Sequence, residues 1–140
     1  MLKRLNSSTL SEFVDVKTSA AVLRVFTALF MIYGHGWGKL MNVFGGNFPS
    51  GFDPIGIGPE LSMILAAFAE GVCSLLIIAG FWTRLASLIL VINMAVAVFF
   101  YHVPAGDAFG DMELALFYLV TFLVIFLLGP GKFSIDESRS

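Results

Sequence analysis

The stretch Leu61–Phe81, with the sequence LSMILAAFAEGVCSLLIIAGF, decides the fold of this chain. Its only charged side chain, Glu70, lies near the middle. A helix of that length is about 30 Å long, which matches the hydrocarbon thickness of a bilayer. A carboxylate at that depth costs several kcal/mol unless it is paired with a basic group or keeps its proton. Glu70 is therefore the first candidate for a functional residue.

The composition of the whole chain is that of a membrane protein. Of its 140 residues, 58% are hydrophobic and 13% are charged, and the mean hydropathy is +0.90. Soluble domains are about half apolar and a quarter charged. The length allows one compact bundle without a separate soluble domain. No segment of the chain is rich enough in Lys and Arg to bind a phosphate backbone, so a nucleic-acid partner is not expected.

Three more apolar runs join the first one, and together they predict an all-α fold, a four-helix transmembrane bundle. Only helices satisfy every backbone polar group of such runs in lipid. Before them, residues 1–19 are predicted to be a cytoplasmic segment, either an interfacial helix or a disordered tail. After them, residues 130–140 are predicted to be a cytoplasmic tail, because Pro130 ends the last helix. The spans are predicted at residues 20–41, 61–81, 85–101 and 113–129.

The distribution of Lys and Arg predicts the orientation in the membrane. The loops at residues 42–60 and 102–112 contain neither residue type. By the positive-inside rule, both termini are expected in the cytoplasm, and a bacterial inner membrane is the expected location. The residues that carry the asymmetry are Lys3, Arg4, Lys17, Arg84, Lys132 and Arg139.

Seven polar side chains within or at the ends of the spans suggest a polar axis that opens outward. Either Arg24 or His35, which share one face of the first span, is expected to reach Glu70. The residues predicted to hold or relay protons as catalytic groups are Glu70, His35 and Glu113. The residues predicted to bind a ligand are Arg24, Lys39, His102 and Asn93.

Ordinary structural roles are the alternative for all of these residues. Arg24 can snorkel to the headgroups, and the outer-end residues can be interfacial. Glu70 can form an inert ion pair with Arg24 that fixes helix packing. Gly34 and Gly38 predict close packing inside the bundle or between protomers. No metal or haem site is predicted, because the two histidines lack ligand spacing and Cys73 has no partner cysteine.

Between about Val22 and Asp136 the chain resembles the DoxX family of small four-helix membrane proteins. The first outer loop is longer than is usual in the family. The segments that carry the resemblance are Leu23-Arg24, Gly34–Leu40 (GHGWGKL), Ala66–Gly71 (AAFAEG), Gly80–Ala86 (GFWTRLA), Asp111–Leu116 (DMELAL) and Gly129–Asp136 (GPGKFSID).

The resemblance implies a link to quinone, because the family takes its name from quinone-linked sulfur oxidation. Other members are associated with redox-stress complexes. The preferred hypothesis is a pocket that binds a quinone headgroup or a sulfur oxyanion, in an enzyme subunit that borrows its electron carrier from quinone or a partner redox subunit. The alternative is a non-catalytic scaffold or assembly partner. A homo-oligomer is compatible with both, and a transporter requires one, because four helices alone offer no pathway.

Overall fold

The computed structural model describes residues 15–140, and every regular element in that range is helical. Four of the helices are long and apolar enough to cross a membrane, which confirms the predicted all-α fold with four spans. The proposed interfacial segment lies mostly in residues 1–14, outside the described range. The helices are α1 (Val16–Phe44), α2 (Pro59–Ala79), α3 (Thr83–Ala105), α4 (Phe109–Leu128) and the short α5 (Ile135–Ser138).

Polar caps make several helices longer than the predicted spans. The Asp15 carboxylate accepts a hydrogen bond from the backbone N–H of Thr18 at 2.7 Å, so α1 begins at Val16. Near the start of α4, the Asp111 side chain accepts one from the N–H of Ala108 at 3.2 Å. Such caps satisfy donors that a helix leaves free in its first turn. As a result Glu113 lies within α4, beyond its first residues.

Each of the first three long helices contains one π-helical segment. A π turn inserts an extra residue, shifts the side chains that follow around the helix, and is frequent at functional sites. The three segments contain His35, Glu70 and His102, respectively. They lie at Ile32–Gly36, Phe68–Cys73 and Ala97–His102.

The closest approach of α1 and α2 is at two of these segments. A Cβ on Gly36 would lie 2.2 Å from the backbone oxygen of Glu70, and one on Gly71 would lie 2.5 Å from Leu40. By contrast, nothing lies within 4 Å of a Cβ built on Gly34 or Gly38. The expectation that this pair packs inside the bundle is therefore wrong, because residues two positions from Gly36 lie on the opposite side of the helix.

The core lies between the four long helices and is apolar. Met31 of α1, Ile77 of α2, Leu90 of α3 and Phe122 of α4 are all fully buried. Cys73 is buried in the same cluster, which agrees with an inert thiol.

The C-terminal tail folds back onto the bundle and caps α3. Asp136 accepts hydrogen bonds from the N–H groups of Trp82 and Thr83, both at 2.9 Å, and from the Thr83 hydroxyl at 2.8 Å. The N–H of Asp136 in turn donates to the carbonyl of Gly80 at 2.9 Å. The tail therefore belongs to the folded unit and closes one end of it.

Candidate functional site

A cavity of about 640 Å³ lies between the helices and extends to the end of the bundle opposite the tail, which we call the mouth. All four long helices and the loop between α1 and α2 contribute to its walls, which are mainly apolar. Concave, mostly apolar sites with a few polar groups are typical of small-molecule binding. The polar residues along the wall are His35, Lys39, Ser62, Glu70, Asn93, Tyr101, His102, Asp111 and Tyr118.

Glu70 lies in this cavity, 5% exposed, with both carboxylate oxygens engaged. The Lys39 ammonium donates to Oε2, and the Asn93 side-chain amide donates to Oε1 at 2.9 Å. Lys39 lies one turn beyond Gly36, where α1 touches the backbone of Glu70, so its side chain is level with the carboxylate. Glu70 thus faces inward and meets a basic residue of the first helix, but that residue is Lys39.

Arg24 does not pair with Glu70, and the expected Arg24–Glu70 ion pair is wrong. The side chain is 1% exposed, so it does not snorkel either, and it does not line the cavity. Carbonyls in the last turn of α2 lack helical partners, and those of the tail approach from the other side. The guanidinium makes five hydrogen bonds of 2.6–3.0 Å, to the backbone oxygens of Ile77, Ile78, Pro130, Lys132 and Phe133.

His35 and Tyr118 face each other across the cavity wall. Their rings meet edge to face, with the centroids 5.8 Å apart. Tyr118 is 7% exposed, and neither side chain has a hydrogen-bond partner among residues 15–140. Both therefore offer polar atoms to a molecule in the cavity. Tyr118 was not among the predicted site residues, because it lies in an apolar run of α4, and its hydroxyl was the only signal available.

His102 lines the cavity near its mouth and is held by a carboxylate. Its Nδ1 is 2.7 Å from Asp107 Oδ2, and its ring meets the Tyr101 ring edge to face. Glu113, predicted as a catalytic residue, is exposed and does not line the cavity. Asp111 lines it instead, because residues two positions apart lie on different sides of α4.

The loop between α1 and α2 covers part of the mouth and is organised around Asp53. The carboxylate accepts hydrogen bonds from the N–H groups of Ile57 and Gly58, both at 3.0 Å, and from the Ser62 hydroxyl at 2.8 Å. Desolvation acts to raise the pKa of Asp53, but these hydrogen bonds outweigh it and lower the pKa below its ordinary value. The carboxylate thus stays charged and ties the loop to α2.

The mouth end of the bundle is acidic. Among the described residues, its one Lys or Arg side chain is Lys39, which is paired with Glu70. The field at the entrance therefore disfavours anions and tolerates neutral molecules. The carboxylates at this end, apart from Glu70, are Asp53, Glu60, Asp107, Asp111 and Glu113.

Comparison with known proteins identifies the family. The DoxX family profile matches residues 19–103, more than half of the chain. A relative from Haemophilus influenzae, described as an uncharacterized protein, is 36% identical over 126 residues, which cover 84% of this chain and 87% of the relative. No solved structure gives a significant match. The chain, a multi-pass membrane protein, therefore belongs to the DoxX family.

Proposed function

We propose that the cavity binds a neutral, mostly apolar molecule with a carbonyl or hydroxyl head, and that a quinone is the ligand class that suits it best. The observation that carries this proposal is the Lys39–Glu70 pair inside a mainly apolar cavity at membrane depth. An ion pair in that setting is costly to bury and is weak support for stability alone. A role in ligand binding explains why the Lys39–Glu70 pair lies there.

The charges around the cavity favour a neutral ligand over a sulfur oxyanion. The Lys39 charge is already balanced by Glu70, and Arg24 is fully engaged with backbone carbonyls. The acidic mouth adds repulsion for an anion. Of the two ligand classes that the sequence suggested, quinone therefore agrees better with the site.

Five of the polar groups in the cavity wall have a proposed role toward a bound carbonyl or toward its partners. The Lys39 ammonium donates a hydrogen bond, and His35 and Tyr118 offer polar atoms that have no hydrogen-bond partner among residues 15–140. Glu70 and His35 are suited to hold a proton for the ligand, Asn93 orients Glu70, and His102 lies toward the mouth. Glu113 has no proposed contact. Any electrons for a quinone would come from a partner subunit. We place this chain in a bacterial inner membrane, with its termini in the cytoplasm.

A binding titration tests the proposal. Protein in lipid nanodiscs is titrated with a benzoquinone that has a ten-carbon tail. Lys39→Met should weaken binding by about tenfold or more, because a charged hydrogen bond contributes about 1.5–3 kcal/mol. The Lys39→Met/Glu70→Gln double variant removes both charges and should bind equally weakly.

Lys132→Met is the matched control. This lysine lies at the tail end, where it pairs with Asp15, so its replacement should leave the affinity unchanged. A wild-type protein that does not bind the quinone, or a Lys39→Met variant that binds it normally, contradicts the proposal.

A scaffold without a ligand is the second candidate, because Lys39, Glu70 and Asn93 already satisfy one another. In that case Lys39→Met and Glu70→Gln should each lower the melting temperature in detergent, while the double variant is tolerated. Such a pattern, without quinone binding in the titration, would favour the scaffold.

A further inference from the structure

Phe52 is a cavity residue to which the proposed function assigns no role. It lies in the loop over the mouth and lines the cavity half-buried. The Lys39 ammonium lies over its ring, 5.9 Å from the centroid. The ring also packs against Tyr101, with the centroids 6.4 Å apart. Phe52 therefore joins the loop to α1 and α3 at the entrance.

The position of this ring is built into the fold of the loop. The N–H of Phe52 donates to the carbonyl of Pro49 at 3.0 Å and closes a turn just before the ring. The next residue, Asp53, is tied to α2 through Ser62. Phe52 thus follows a hydrogen-bonded turn and precedes an anchored carboxylate.

Among residues 15–140, the Lys39 ammonium has two partners, the Glu70 carboxylate and the Phe52 ring. A molecule whose carbonyl reaches Lys39 from the mouth lies beside that ring, because the ammonium is 5.9 Å from the ring centroid. A flat conjugated ring that carries the carbonyl also stacks on the Phe52 ring. A saturated chain does not.

Selection for conjugated rings matters because every apolar cavity in a bilayer is exposed to competing lipid chains. Lipid acyl chains surround the protein at high concentration, and they fill an open apolar cavity without any specific contact. The face of the Phe52 ring beside the ammonium favours flat conjugated ligands over these chains, because a saturated chain does not stack on it.

We propose that Phe52 is the specificity-determining residue of the cavity, which favours ligands with a flat conjugated ring over saturated chains. This inference rests on the proposed function, because it concerns the ligand of the same cavity. It also assigns a purpose to the loop between α1 and α2.

The test compares two probes in nanodiscs, the benzoquinone with a ten-carbon tail and a saturated ketone of matched length. The measured quantity is the ratio of their dissociation constants. Phe52→Leu keeps an apolar side chain but removes the ring face, so the preference for the quinone should fall about 3- to 10-fold. Phe48→Leu is the control, because Phe48 lies in the same loop but does not line the cavity. Its ratio should equal that of the wild type.

Phe52→Tyr keeps the ring and should retain the wild-type preference, which guards against a leucine variant that merely folds poorly. An unchanged ratio in Phe52→Leu, or a lost preference in Phe52→Tyr, overturns the inference and leaves quinone binding intact. A wild-type protein that binds neither probe overturns the proposed function, and this inference with it.

Discussion

At the scale of single residues, two basic side chains inside the bundle have their charge balanced in different ways, Arg24 fully buried and Lys39 partly buried. Arg24 spreads its charge over five backbone carbonyls and needs no carboxylate within hydrogen-bonding distance. Lys39, which has a single compact ammonium group, pairs with Glu70 and leaves one side to the cavity. The planar guanidinium fork is suited to many fixed acceptors, whereas an ammonium is suited to one exchangeable contact. Arg24 is therefore structural, and Lys39 is the candidate for binding.

Arg24→Leu should be strongly destabilising. The change leaves the five carbonyls without their donor, and breaking a buried charged network costs about 3–5 kcal/mol. Thermal unfolding in detergent measures the effect. Arg84→Gln is the control, because Arg84 is exposed and its loss should change stability by less than about 0.5 kcal/mol. Equal melting temperatures for the two variants would show that the Arg24 network does not hold the tail.

At the scale of helices, the α1–α2 crossing sets the geometry of the site. Gly36 brings α1 against the backbone of Glu70, and the π segments of both helices meet there. Lys39 follows one turn later, so its approach to Glu70 depends on this contact. A change in the spacing of the two helices should therefore alter both stability and ligand binding.

Gly36→Ala should push the two helices apart. Its Cβ would lie 2.2 Å from a backbone oxygen, and overpacking of this kind costs about 1–3 kcal/mol. Quinone affinity should fall together with the melting temperature. Gly38→Ala, whose Cβ meets nothing within 4 Å, should leave both quantities at the wild-type values. If the two variants behave alike, the crossing does not determine the site.

The cap of α3 should make stability depend on pH in the acid range. Burial acts to raise the pKa of Asp136, but hydrogen bonds from Thr83 and Trp82 outweigh it and lower the pKa below its ordinary value of about 4. Its contribution is therefore complete above that value and is lost as the pH falls through the lowered pKa of the folded state. Melting curves between about pH 6 and 3 should show a smaller acid loss for Asp136→Asn than for the wild type.

At the scale of the whole molecule, the sequence predicts the fold better than the site. Four apolar runs define the four spans, and a lone charge within one of them identifies Glu70. The partners of Arg24 are backbone carbonyls far along the chain, which no side-chain pattern reveals. The π segments shift His35 and Glu70 around their helices relative to a regular α-helix. Regular helical spacing therefore predicted Arg24 as a partner of Glu70, whereas the partner in the structure is Lys39.

The two ends of the molecule also differ in charge and in whether they are closed. The tail end is closed by Arg24 and Asp136, while the mouth end combines an acidic rim with an open cavity. With the Lys and Arg pattern, this asymmetry predicts a closed cytoplasmic end and a site that opens outward. A cysteine placed at Asn47 should accordingly react with a membrane-impermeant maleimide added to intact cells, whereas one placed at Ser140 should not.

Photoaffinity labelling tests the central claim most directly. Wild-type protein in nanodiscs is irradiated with an azido-benzoquinone, and the modified residues are mapped by mass spectrometry. Labels on cavity-wall residues such as His35 and Tyr118, displaced by excess unlabelled quinone and reduced in Lys39→Met, are the predicted result. Labels confined to the exposed outer face of α1, at Tyr33 and Trp37, and not displaced by competitor, would contradict the account.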